Sequence, residues 1–449
     1  MSFSSYEFIF LFLPITLTIF FTLPAKLASI WLIIASLFFY GTLNLQSLPL
    51  LIISVIVNYV LSLRVSRSRV VLILGLAFNF GLLACFKLID ALPLGISFWT
   101  FTQSAYLVDV YRGGSGASGL AEYGRHVTFF GCITSGPIAR FNETCPKFTA
   151  DYDAIARGLT LFVLGLFKKA AIADGLAKTV NVLFAASGIL TFFEAWLAGV
   201  GYAMQLYFDF SGYSDMAIGI GLMFGMSLPQ NFASPYKSLS IIDFWRRWHM
   251  SLGAWVRDYL YIPLGGSRCG ELKRTRNVML AMLFTGLWHG LGWTFVVWGA
   301  VHGVLLAVNH WWRKHGVKIP VIVSWVMTFA AVVMLWVMFR AESLNEAGKI
   351  FASMVDLRNI ALPAKLSGYL GFLENWGISF VKFVPLEGGF FKNSLYVFAL
   401  MLWTLFAPNT QQVMAGFRPS AKWVVVVAVL AVMAFWNFSG ISDFLYFRF

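Results

Sequence analysis

The chain has 449 residues, of which 59% are hydrophobic and only 12% charged, and it carries a formal net charge of +13. Soluble globular proteins contain about 25% charged residues, so this composition excludes an ordinary soluble domain. The basic residues are divided among short loops, which is typical of topology signals and of contacts to anionic membrane lipids. Nucleic-acid binding is not expected, because no basic soluble domain accompanies the apolar runs.

Apolar runs of membrane-spanning length occur along the whole chain. A transmembrane helix needs roughly 20 mostly apolar residues. The clearest runs are Phe8–Leu23, Leu27–Phe39, Leu48–Leu63, Val70–Phe86, Leu190–Tyr207, Trp293–Val308, Val321–Phe339, Ser394–Phe406 and Trp423–Phe435. With the shorter, interrupted runs between them, they predict an all-α polytopic membrane protein with about 11 transmembrane helices and additional re-entrant segments.

The first three runs also predict an orientation. No Lys or Arg precedes Lys26, so Phe8–Leu23 is expected to be a retained helix and not a cleaved signal. The basic loop with Arg64, Arg67 and Arg69 follows the third run, and the positive-inside rule assigns that loop to the cytoplasm. Three crossings before it put the N-terminus on the outer side of the membrane.

One integral membrane domain is predicted for residues 1–449, with three zones of different composition. Residues 1–90 are predicted to form four conventional apolar helices, and residues 311–449 plain helices joined by polar loops. Residues 91–310 are rich in Gly, Pro, aromatic and intramembrane polar groups. Because polar groups inside a membrane are costly and usually face a cavity or a partner, the functional site is expected in this middle zone.

Two segments of the middle zone interrupt helical continuity. Pro93 and Gly95 open the segment 92–114, and a Gly-Pro pair divides the segment Ile133–Phe141. Irregular backbone at membrane depth is tolerated only where it is buried in protein or lines a watery cavity. Both segments are therefore predicted to be re-entrant.

Two acidic residues lie close to apolar stretches further along the chain. Asp209 and Asp215 are expected to cap helices or to pair with nearby Arg, because an unpaired buried carboxylate is costly. They are interpreted as supporting residues, with direct chemistry as the alternative.

The segment Ile241–Gly270 has the spacing of an aromatic helix near the membrane interface. At 100° per residue, one stripe about 80° wide contains Trp245, Trp248, Leu252, Trp255 and Tyr259. Asp243 precedes Arg246 and Arg247 by three and four positions, the spacing of helical ion pairs. It is therefore a third candidate supporting residue.

The densest basic region of the chain begins in the same segment. It comprises Arg246, Arg247, Arg257, Arg268, Lys273, Arg274 and Arg276. One interpretation is a cytoplasmic loop that obeys the positive-inside rule. The other is a dock for a phosphorylated donor, with Arg246, Arg247 and Arg257 as the binding residues.

Among the six histidines, His249 and His289 are the candidates for catalysis, because each is embedded in aromatic residues beside Gly or Arg. Burial disfavours the charged imidazole, and a neutral ring can act as a general base toward a hydroxyl. Gly286 and Gly290 are expected to leave room for a substrate chain beside His289. A hydrogen-bonded core role is the alternative for both histidines.

The other histidines are interpreted as structural. His126 is placed in a loop, His302 is expected to be a packing residue, and His310 and His315 are expected to lie at a helix end. No metal site is expected, because no second ligand stands at helical spacing from His249 or His289 and the four cysteines lack metal spacing.

Several motifs together resemble the membrane-bound O-acyltransferase (MBOAT) family. They are "LPLGISFWTFTQSAYLVDVYRG", "SGPIARF", "QLYFDFSGYSDMAIGIGLMFG", "NFASPY", "DFWRRWHMSLGAWVRDYLYIPLGG" and "GLWHG". The likeness is greatest to the bacterial branch that includes the alginate O-acetylation and teichoic-acid D-alanylation membrane proteins. The ending "FLYFRF" also resembles the alginate-type members.

The resemblance implies an MBOAT-like bundle with a central funnel or tunnel for acyl transfer across the membrane. The family's catalytic histidine falls on His289 and its second motif residue on His249. The implied donor is acetyl-CoA from the cytoplasmic side, and the implied partners are a periplasmic SGNH-type acetyltransferase-like protein and a polysaccharide acceptor. The implied location is the bacterial inner membrane.

The sequence departs from the alginate-type pattern at two places. Gly131 and Cys132 stand where those members carry a Pro-His pair, and Gln103 replaces an acidic residue. Both departures lie on the predicted re-entrant segments, so we expect them to affect the acceptor or partner docking more than the chemistry.

The leading hypothesis is an O-acetyltransferase for an extracellular polysaccharide such as cellulose or alginate. Acyl transfer to another cell-envelope polymer, such as teichoic acid, is one alternative. A polytopic transporter or channel, whose polar middle zone lines a permeation path, is a second. A structural platform that recruits a secreted transferase is a third.

Overall fold

The structure is a computed structural model, and it describes residues 1–114, 116, 119–316, 318–438 and 445. The described chain is mostly helical. Its α-helices are, in chain order, α1 (Leu13–Thr22), α2 (Ala25–Leu43), α3 (Leu48–Val65), α4 (Arg69–Leu88), α5 (Ile96–Tyr111), α6 (Leu120–Thr128), α7 (Tyr152–Phe167), α8 (Asp174–Phe184), α9 (Phe192–Met223), α10 (Ile241–Trp245), α11 (Met250–Val256), α12 (Glu271–His289), α13 (Trp293–His315), α14 (Val321–Arg340), α15 (Leu344–Val355), α16 (Ser367–Leu370), α17 (Phe390–Phe406), α18 (Thr410–Ala415) and α19 (Ala421–Trp436). π-Helical turns occupy Phe8–Phe12, Lys168–Ala173 and Arg257–Tyr261. Short 3₁₀ turns lie at Phe141–Thr144, Pro235–Lys237, Leu357–Asn359, Ala364–Leu366 and Gly371–Trp376.

The apolar runs of the sequence coincide closely with helices. Within the described ranges, five helices are long and apolar enough to cross a membrane, namely α2, α3, α4, α13 and α14. Three shorter apolar helical stretches accompany them, at Phe8–Thr22, α17 and α19. The run Leu190–Tyr207 forms the first part of α9, which continues to Met223. The chain is therefore a multi-pass membrane protein, as the composition predicts.

A small sheet departs from the all-α prediction. The strands β1 (Ala361–Pro363) and β2 (Ser379–Val381) pair in parallel, with Ala361 opposite Ser379. Both strands belong to the connection between α15 and α17, which contains no long apolar run. This connection therefore forms a short parallel pairing and brief helical turns in place of a long helix.

The long helix α9 forms the centre of the described bundle. It has 32 residues and is buried over almost its whole length. Helix α7 packs closely along it, because a side chain at Gly158 or Gly165 would collide with the α9 backbone at Gly219 and Gly212. Small residues of this kind let membrane helices approach each other. The polar residues of α9 are therefore held inside the protein.

Five buried polar side chains, which we call the amide network, connect α3, α4, α5 and α6. Asn58 and Asn79 exchange two amide hydrogen bonds, at 3.1 and 2.7 Å. Gln103 donates to the hydroxyl of Ser54 at 3.0 Å and accepts from the hydroxyl of Tyr123 at 3.1 Å. Hydrogen bonds between helices stabilise membrane bundles because hydrocarbon offers no competing partner.

Helices α12 and α13 form a tight antiparallel hairpin. A side chain at Gly286 would collide with the carbonyl oxygen of Phe295, so the two backbones lie in close contact. At the other end of the hairpin, Lys314 Nζ lies 2.7 Å from Glu271 Oε1. His289 is the last residue of α12. It therefore lies at the turn of the hairpin, opposite to the end that carries Glu271 and Lys314.

The two segments predicted to be re-entrant differ in structure. Segment 92–114 is mainly helical, because α5 begins directly after Gly95, whose φ is 69°. Residues 129–140 lie outside the helices and are largely buried. Hydroxyl groups satisfy part of this irregular backbone, since Ser36 accepts from the Phe130 N–H and Ser251 from the Ile138 N–H. The interruption predicted at the Gly-Pro pair is present, and the re-entrant path stays a prediction.

Candidate active site

The single helix predicted for Ile241–Gly270 is broken at His249. Helix α10 ends at Trp245 and α11 begins at Met250, while His249 itself has a left-handed backbone with φ of 42°. A residue other than glycine in this conformation costs about 1–3 kcal/mol and persists only where the surroundings enforce it. Such strained residues cluster at functional sites.

The break changes the environment of the aromatic stripe. Trp248, Leu252 and Trp255 are buried in the core. The prediction of a single aromatic helix is therefore wrong, because the chain breaks at His249 and the large rings pack against neighbouring helices. Its position near the membrane interface stays a prediction.

Asn231 holds the broken segment in place. Its side-chain oxygen accepts from the backbone N–H and from the hydroxyl of Ser251, at 3.2 and 2.7 Å, and lies 3.3 Å from Nδ1 of His249. Its backbone carbonyl accepts from the N–H of Met250 at 3.0 Å. One residue thus binds three consecutive positions and stabilises the left-handed conformation between them.

These hydrogen bonds define the tautomer of His249. A backbone N–H only donates, so the Asn231 atom that faces Ser251 is the amide oxygen, and the amide nitrogen donates to Ser214 at 3.1 Å. Nδ1 of His249 is therefore the donor toward Asn231, and Nε2 is the acceptor nitrogen of the neutral ring. The residue is 1% exposed, and its ring lies 4.6 Å from that of Phe210, centroid to centroid.

His289 is enclosed by aromatic side chains. Its ring centroid lies 5.4 Å from that of Trp298 and 5.0 Å from that of Phe339, and the residue is 3% exposed. Trp288 lies 4.8 Å from His289 and 6.1 Å from His249, again between ring centroids. The structure therefore brings the two predicted catalytic histidines, far apart in sequence, against one indole ring.

Trp288 is held by two other helices. Its indole N–H donates to the Ser97 carbonyl at 3.4 Å, and its ring packs against Phe98 on the same helix, α5. Its backbone carbonyl accepts from Nζ of Lys87, on α4, at 2.6 Å. The end of α12 is thus connected to α4 and α5.

The prediction that two glycines leave room for a substrate chain is wrong. Gly286 faces the carbonyl oxygen of Phe295, and Gly290 faces the phenyl ring of the same residue. Because α13 fills the space beside both glycines, a substrate chain cannot lie there. The glycines instead allow α13 to pack directly on the end of α12.

A cavity of about 640 Å³ lies beside the histidines, between α11, α12 and α13. This volume is within the range of small-molecule sites. Its polar lining includes Arg246, Arg257 and His310. The lining also contains Met250, which follows His249, and Thr285, one helical turn before His289. Neither histidine ring is among the residues that line this cavity.

The three arginines predicted to bind a donor are separated by the fold. Arg246 and Arg257 line the cavity. Arg247 lies elsewhere, with Nε 2.9 Å from Asp243 Oδ1 and Nη1 donating to the carbonyl of Ala233 at 3.2 Å. Asp243 thus forms one of the two ion pairs that its spacing allows, and that pair fixes the broken segment.

Asp258 neutralises part of the positive charge near the cavity. Arg257 binds its carboxylate through two nitrogens, at 2.6 and 2.9 Å, and Arg140 pairs with the same carboxylate. Partial burial acts to raise the pKa of Asp258, but the hydrogen bonds and charges of Arg257 and Arg140 hold it below its ordinary value. An anionic ligand would have to compete with Asp258 for Arg257.

Asp209 and Asp215 pair with lysines, whereas arginine partners were predicted. Lys168 Nζ lies 2.6 Å from Asp215, and Lys169 Nζ lies 2.7 Å from Asp209 and 2.8 Å from Asp174. Both lysines belong to the π-helical turn after α7. The fold brings this turn alongside α9, which the order of residues in the sequence does not show.

The end of the chain reaches this group of charges. The backbone N–H of Leu445 donates to Oδ2 of Asp209 at 3.0 Å. Leu445 belongs to the terminal motif "FLYFRF", whose other residues lie outside the described residues.

The remaining histidines take different places. His302 accepts an indole hydrogen bond in the core, and His310 and His315 lie in the last turns of α13. His126 is not in a loop as predicted but buried in α6, with Nδ1 2.7 Å from Thr144 Oγ1. The described part of the chain contains no group of three or more His, Cys, Asp or Glu residues arranged to hold a metal ion.

Comparison with known proteins places this chain in a family. The model of the MBOAT, membrane-bound O-acyltransferase family, matches residues 15–345. The chain belongs to this family. The resemblance drawn from the motifs is confirmed, and the protein is a membrane-embedded acyltransferase.

Several relatives of this MBOAT enzyme carry specific names. It is 40% identical to the peptidoglycan O-acetyltransferase of Helicobacter pylori, over 79% of this chain and 80% of that protein. It is 41% identical to a probable alginate O-acetylase of Pseudomonas aeruginosa, over 79% of this chain and 75% of that protein. The teichoic acid D-alanyltransferase of Streptococcus thermophilus is 31% identical over 49% of this chain and 57% of its own length.

Three residues that organise the MBOAT site were not predicted individually. Asn231 and Trp288 lie inside the motifs "NFASPY" and "GLWHG", so the polar and aromatic members of those motifs could have suggested them. Lys87 stands at the end of an apolar run, where a lysine is ordinarily an interfacial anchor. No local signal connects it with His289.

Proposed function

We propose that this MBOAT enzyme transfers an acetyl group from cytoplasmic acetyl-CoA to hydroxyl groups of an extracellular polysaccharide, such as cellulose or alginate. The observation that carries the proposal is the placement of His249 and His289 against one indole, beside a cavity lined partly by arginine. The relatives named for O-acetylation of peptidoglycan and alginate support an acetyl group and a polymeric acceptor.

The donor enters from the cytoplasmic side. The cavity lining includes Arg246 and Arg257, which belong to the densest basic region of the chain, and the positive-inside rule assigns such a region to the cytoplasm. Helix α12 rises about 27 Å from Glu271 to His289, at 1.5 Å per residue. His289 therefore lies toward the outer side, at the end of the path through the membrane. In this proposal the path runs through a bundle of about 11 transmembrane helices with a central funnel, and the bundle lies in the bacterial inner membrane.

His289 acts as the general base. It removes the proton from an acceptor hydroxyl as the hydroxyl oxygen attacks the carbonyl carbon of the thioester. The carbon–sulfur bond then breaks, and the imidazolium returns the proton to the departing thiolate. The products are an acetyl ester and free thiol. Thr285, one turn earlier on the same helix, lines the donor cavity.

His249 orients the acceptor. Its Nδ1–H is directed at Asn231, so Nε2 is a hydrogen-bond acceptor in the neutral ring. An acceptor nitrogen suits a hydroxyl group, whereas polarising the thioester carbonyl would need a donor. We therefore assign His249 an orienting role toward the acceptor and not the polarisation of the thioester carbonyl.

Charged residues hold the donor and support the site. Arg246 and Arg257 bind the phosphates of the donor through charge-assisted hydrogen bonds. Arg247 contributes through its pair with Asp243, which fixes the segment before His249. Asp209 and Asp215 connect α9 to the π-helical turn and act as structural braces (together with their lysine partners). A periplasmic SGNH-type acetyltransferase-like protein would receive the acetyl group or present the polymer on the outer side.

Substitution of His289 by Ala tests the mechanism directly. We expect acetylation of the polymer to fall roughly 100-fold or more, because the general base is lost. His302→Gln is the matched control, since His302 is also buried but packs one helix away, and we expect it to change the rate less than three-fold. Normal acetylation in His289→Ala at equal protein amount would remove His289 from the mechanism.

An assay in membrane vesicles distinguishes the proposed function from its alternatives. In vesicles with an isotopically labelled acetyl donor, the proposal predicts label in ester linkage on the polymer. Passage of intact donor without ester formation would identify a transporter. Full activity of a secreted transferase with a soluble donor and without this chain would identify a platform. If the labelled ester is found on teichoic acid and not on a polysaccharide, the proposed acceptor is wrong and the proposed acyl transfer stands.

A further inference from the structure

A partly buried contact joins Lys87 to the end of the catalytic helix. The Nζ of Lys87 donates to the backbone carbonyl of Trp288 at 2.6 Å, in a partly buried environment. Trp288 directly precedes His289 in the last turn of α12. The last four carbonyl groups of an α-helix have no partner within the helix, so this turn depends on outside donors.

The contact differs from the usual behaviour of a lysine near a helix end. Such lysines generally extend along the apolar surface until the ammonium reaches water. Lys178, within α8, likewise directs its ammonium outward, with 65% of its side chain exposed and Glu387 3.6 Å away. Lys87 instead turns its ammonium inward, toward a backbone carbonyl of another helix.

Lys87 also lies close to the catalytic residue, because the carbonyl that its ammonium binds belongs to the residue directly before His289 in the chain. Its ammonium lies at the negative end of the α12 dipole, where a cation is favourable. Lys87 stands at the opposite end of α4 from the basic loop assigned to the cytoplasm, which puts it on the same outer side as His289.

We propose that Lys87 is a positioning residue for acyl transfer, whose ammonium holds the last turn of α12 against α4 and supplies a fixed positive charge beside His289. This inference rests on the proposed function, in which His289 is the base. As the acceptor oxygen attacks, negative charge develops on the thioester carbonyl oxygen. A preorganised cation nearby stabilises that charge without having to rearrange, and its repulsion of the imidazolium favours return of the proton to the departing thiolate.

The test compares three lysine variants in membrane vesicles that contain the full-length protein, acetyl-CoA and the polymer acceptor. For Lys87→Met we expect kcat per folded protein to fall about 30-fold, within the range for removing one preorganised group, while KM for acetyl-CoA changes less than two-fold. For Lys87→Arg, which keeps a cation and N–H donors, we expect kcat within about five-fold of the wild type. Lys178→Met is the matched control and should leave both parameters unchanged.

The outcomes are distinguishable. If His289→Ala is inactive and Lys87→Met has wild-type kcat, the inference about Lys87 is wrong and the proposed function stands. If His289→Ala is active, His289 is not the base, and the mechanism given under the proposed function fails whatever Lys87→Met does. Equal losses in Lys87→Met and Lys87→Arg would also overturn the inference, because the charge would not matter. If Lys87→Met lowers the amount of folded protein but leaves kcat unchanged, Lys87 only stabilises the end of α12, and the inference is wrong.

If Lys87→Met does not accumulate, Lys87→Gln replaces it. Glutamine retains an N–H donor but no charge, and we expect its kcat to be about ten-fold below that of Lys87→Arg. Equality between the glutamine and arginine variants would contradict the role of the charge.

Discussion

Two groups of buried polar side chains in this enzyme, the amide network and the histidine site, have different surroundings. The amide network between α3 and α6 is closed, because Asn58 and Asn79 bond each other and Gln103 bonds partners on both sides. The histidine site is surrounded by aromatic rings and lies beside a cavity, and one of its histidines is held in a strained conformation.

The difference shows that burial of a polar group in a membrane does not by itself indicate chemistry. Reciprocal amide pairs satisfy each other and connect helices, so they need no substrate. An imidazole on a strained, left-handed residue, with a ligand-sized space nearby, is instead a candidate for chemistry. Backbone strain and adjacent space therefore distinguish the candidate site from the amide network.

The largest effect that would sharpen this comparison concerns Asn231. In Asn231→Ala, the Ser251 N–H and Nδ1 of His249 lose their acceptor, so the left-handed conformation of His249 is no longer enforced. We expect kcat to fall about 50-fold, in line with a misplaced catalytic group. Asn231→Asp keeps an acceptor oxygen and should recover most of the loss. Initial rates of polymer acetylation per folded protein measure both, and wild-type activity in Asn231→Ala would contradict the assignment.

A smaller effect is expected at the donor cavity. Arg246→Gln removes a charge that lines the cavity, and we expect KM for acetyl-CoA to rise about ten-fold, the size of one charge-assisted hydrogen bond. Arg247→Gln is the control, because Arg247 pairs with Asp243 away from the cavity, and its KM should rise less than three-fold. Equal increases in the two variants, in steady-state kinetics with the donor titrated, would show that the cavity does not hold the donor.

The smallest effect on activity is expected in the amide network. Asn79→Leu leaves the amide of Asn58 without its partner and should lower the free energy of unfolding by about 1 kcal/mol, with kcat per folded protein unchanged. The double variant with Leu at both positions should regain part of that stability, because both polar groups are removed. Thermal unfolding in detergent and acetylation rates give the two quantities. A large loss of kcat in the double variant would mean that this network, too, serves the reaction.

Much of the site was predictable as a set of residues but not as a geometry. His249 and His289 were predicted from aromatic surroundings and from motifs, and the fold brings both against Trp288. The purpose of Gly286 was predicted wrongly, because a small residue makes room equally well for a ligand or for a helix. Lysine partners for Asp209 and Asp215 were missed, because they come from a different helix.

The sequence by itself determined that this chain is a multi-pass helical membrane protein of the MBOAT family, because apolar runs and short motifs are local properties. It also predicted two imidazoles, those of His249 and His289, as the candidates for catalysis. Only the tertiary structure decided that the chain breaks at His249, that α13 fills the space beside Gly286 and that Lys87 holds the end of α12. The reason is physical: inside a membrane each polar group must find its partner within the protein, and that partner is selected by proximity in space.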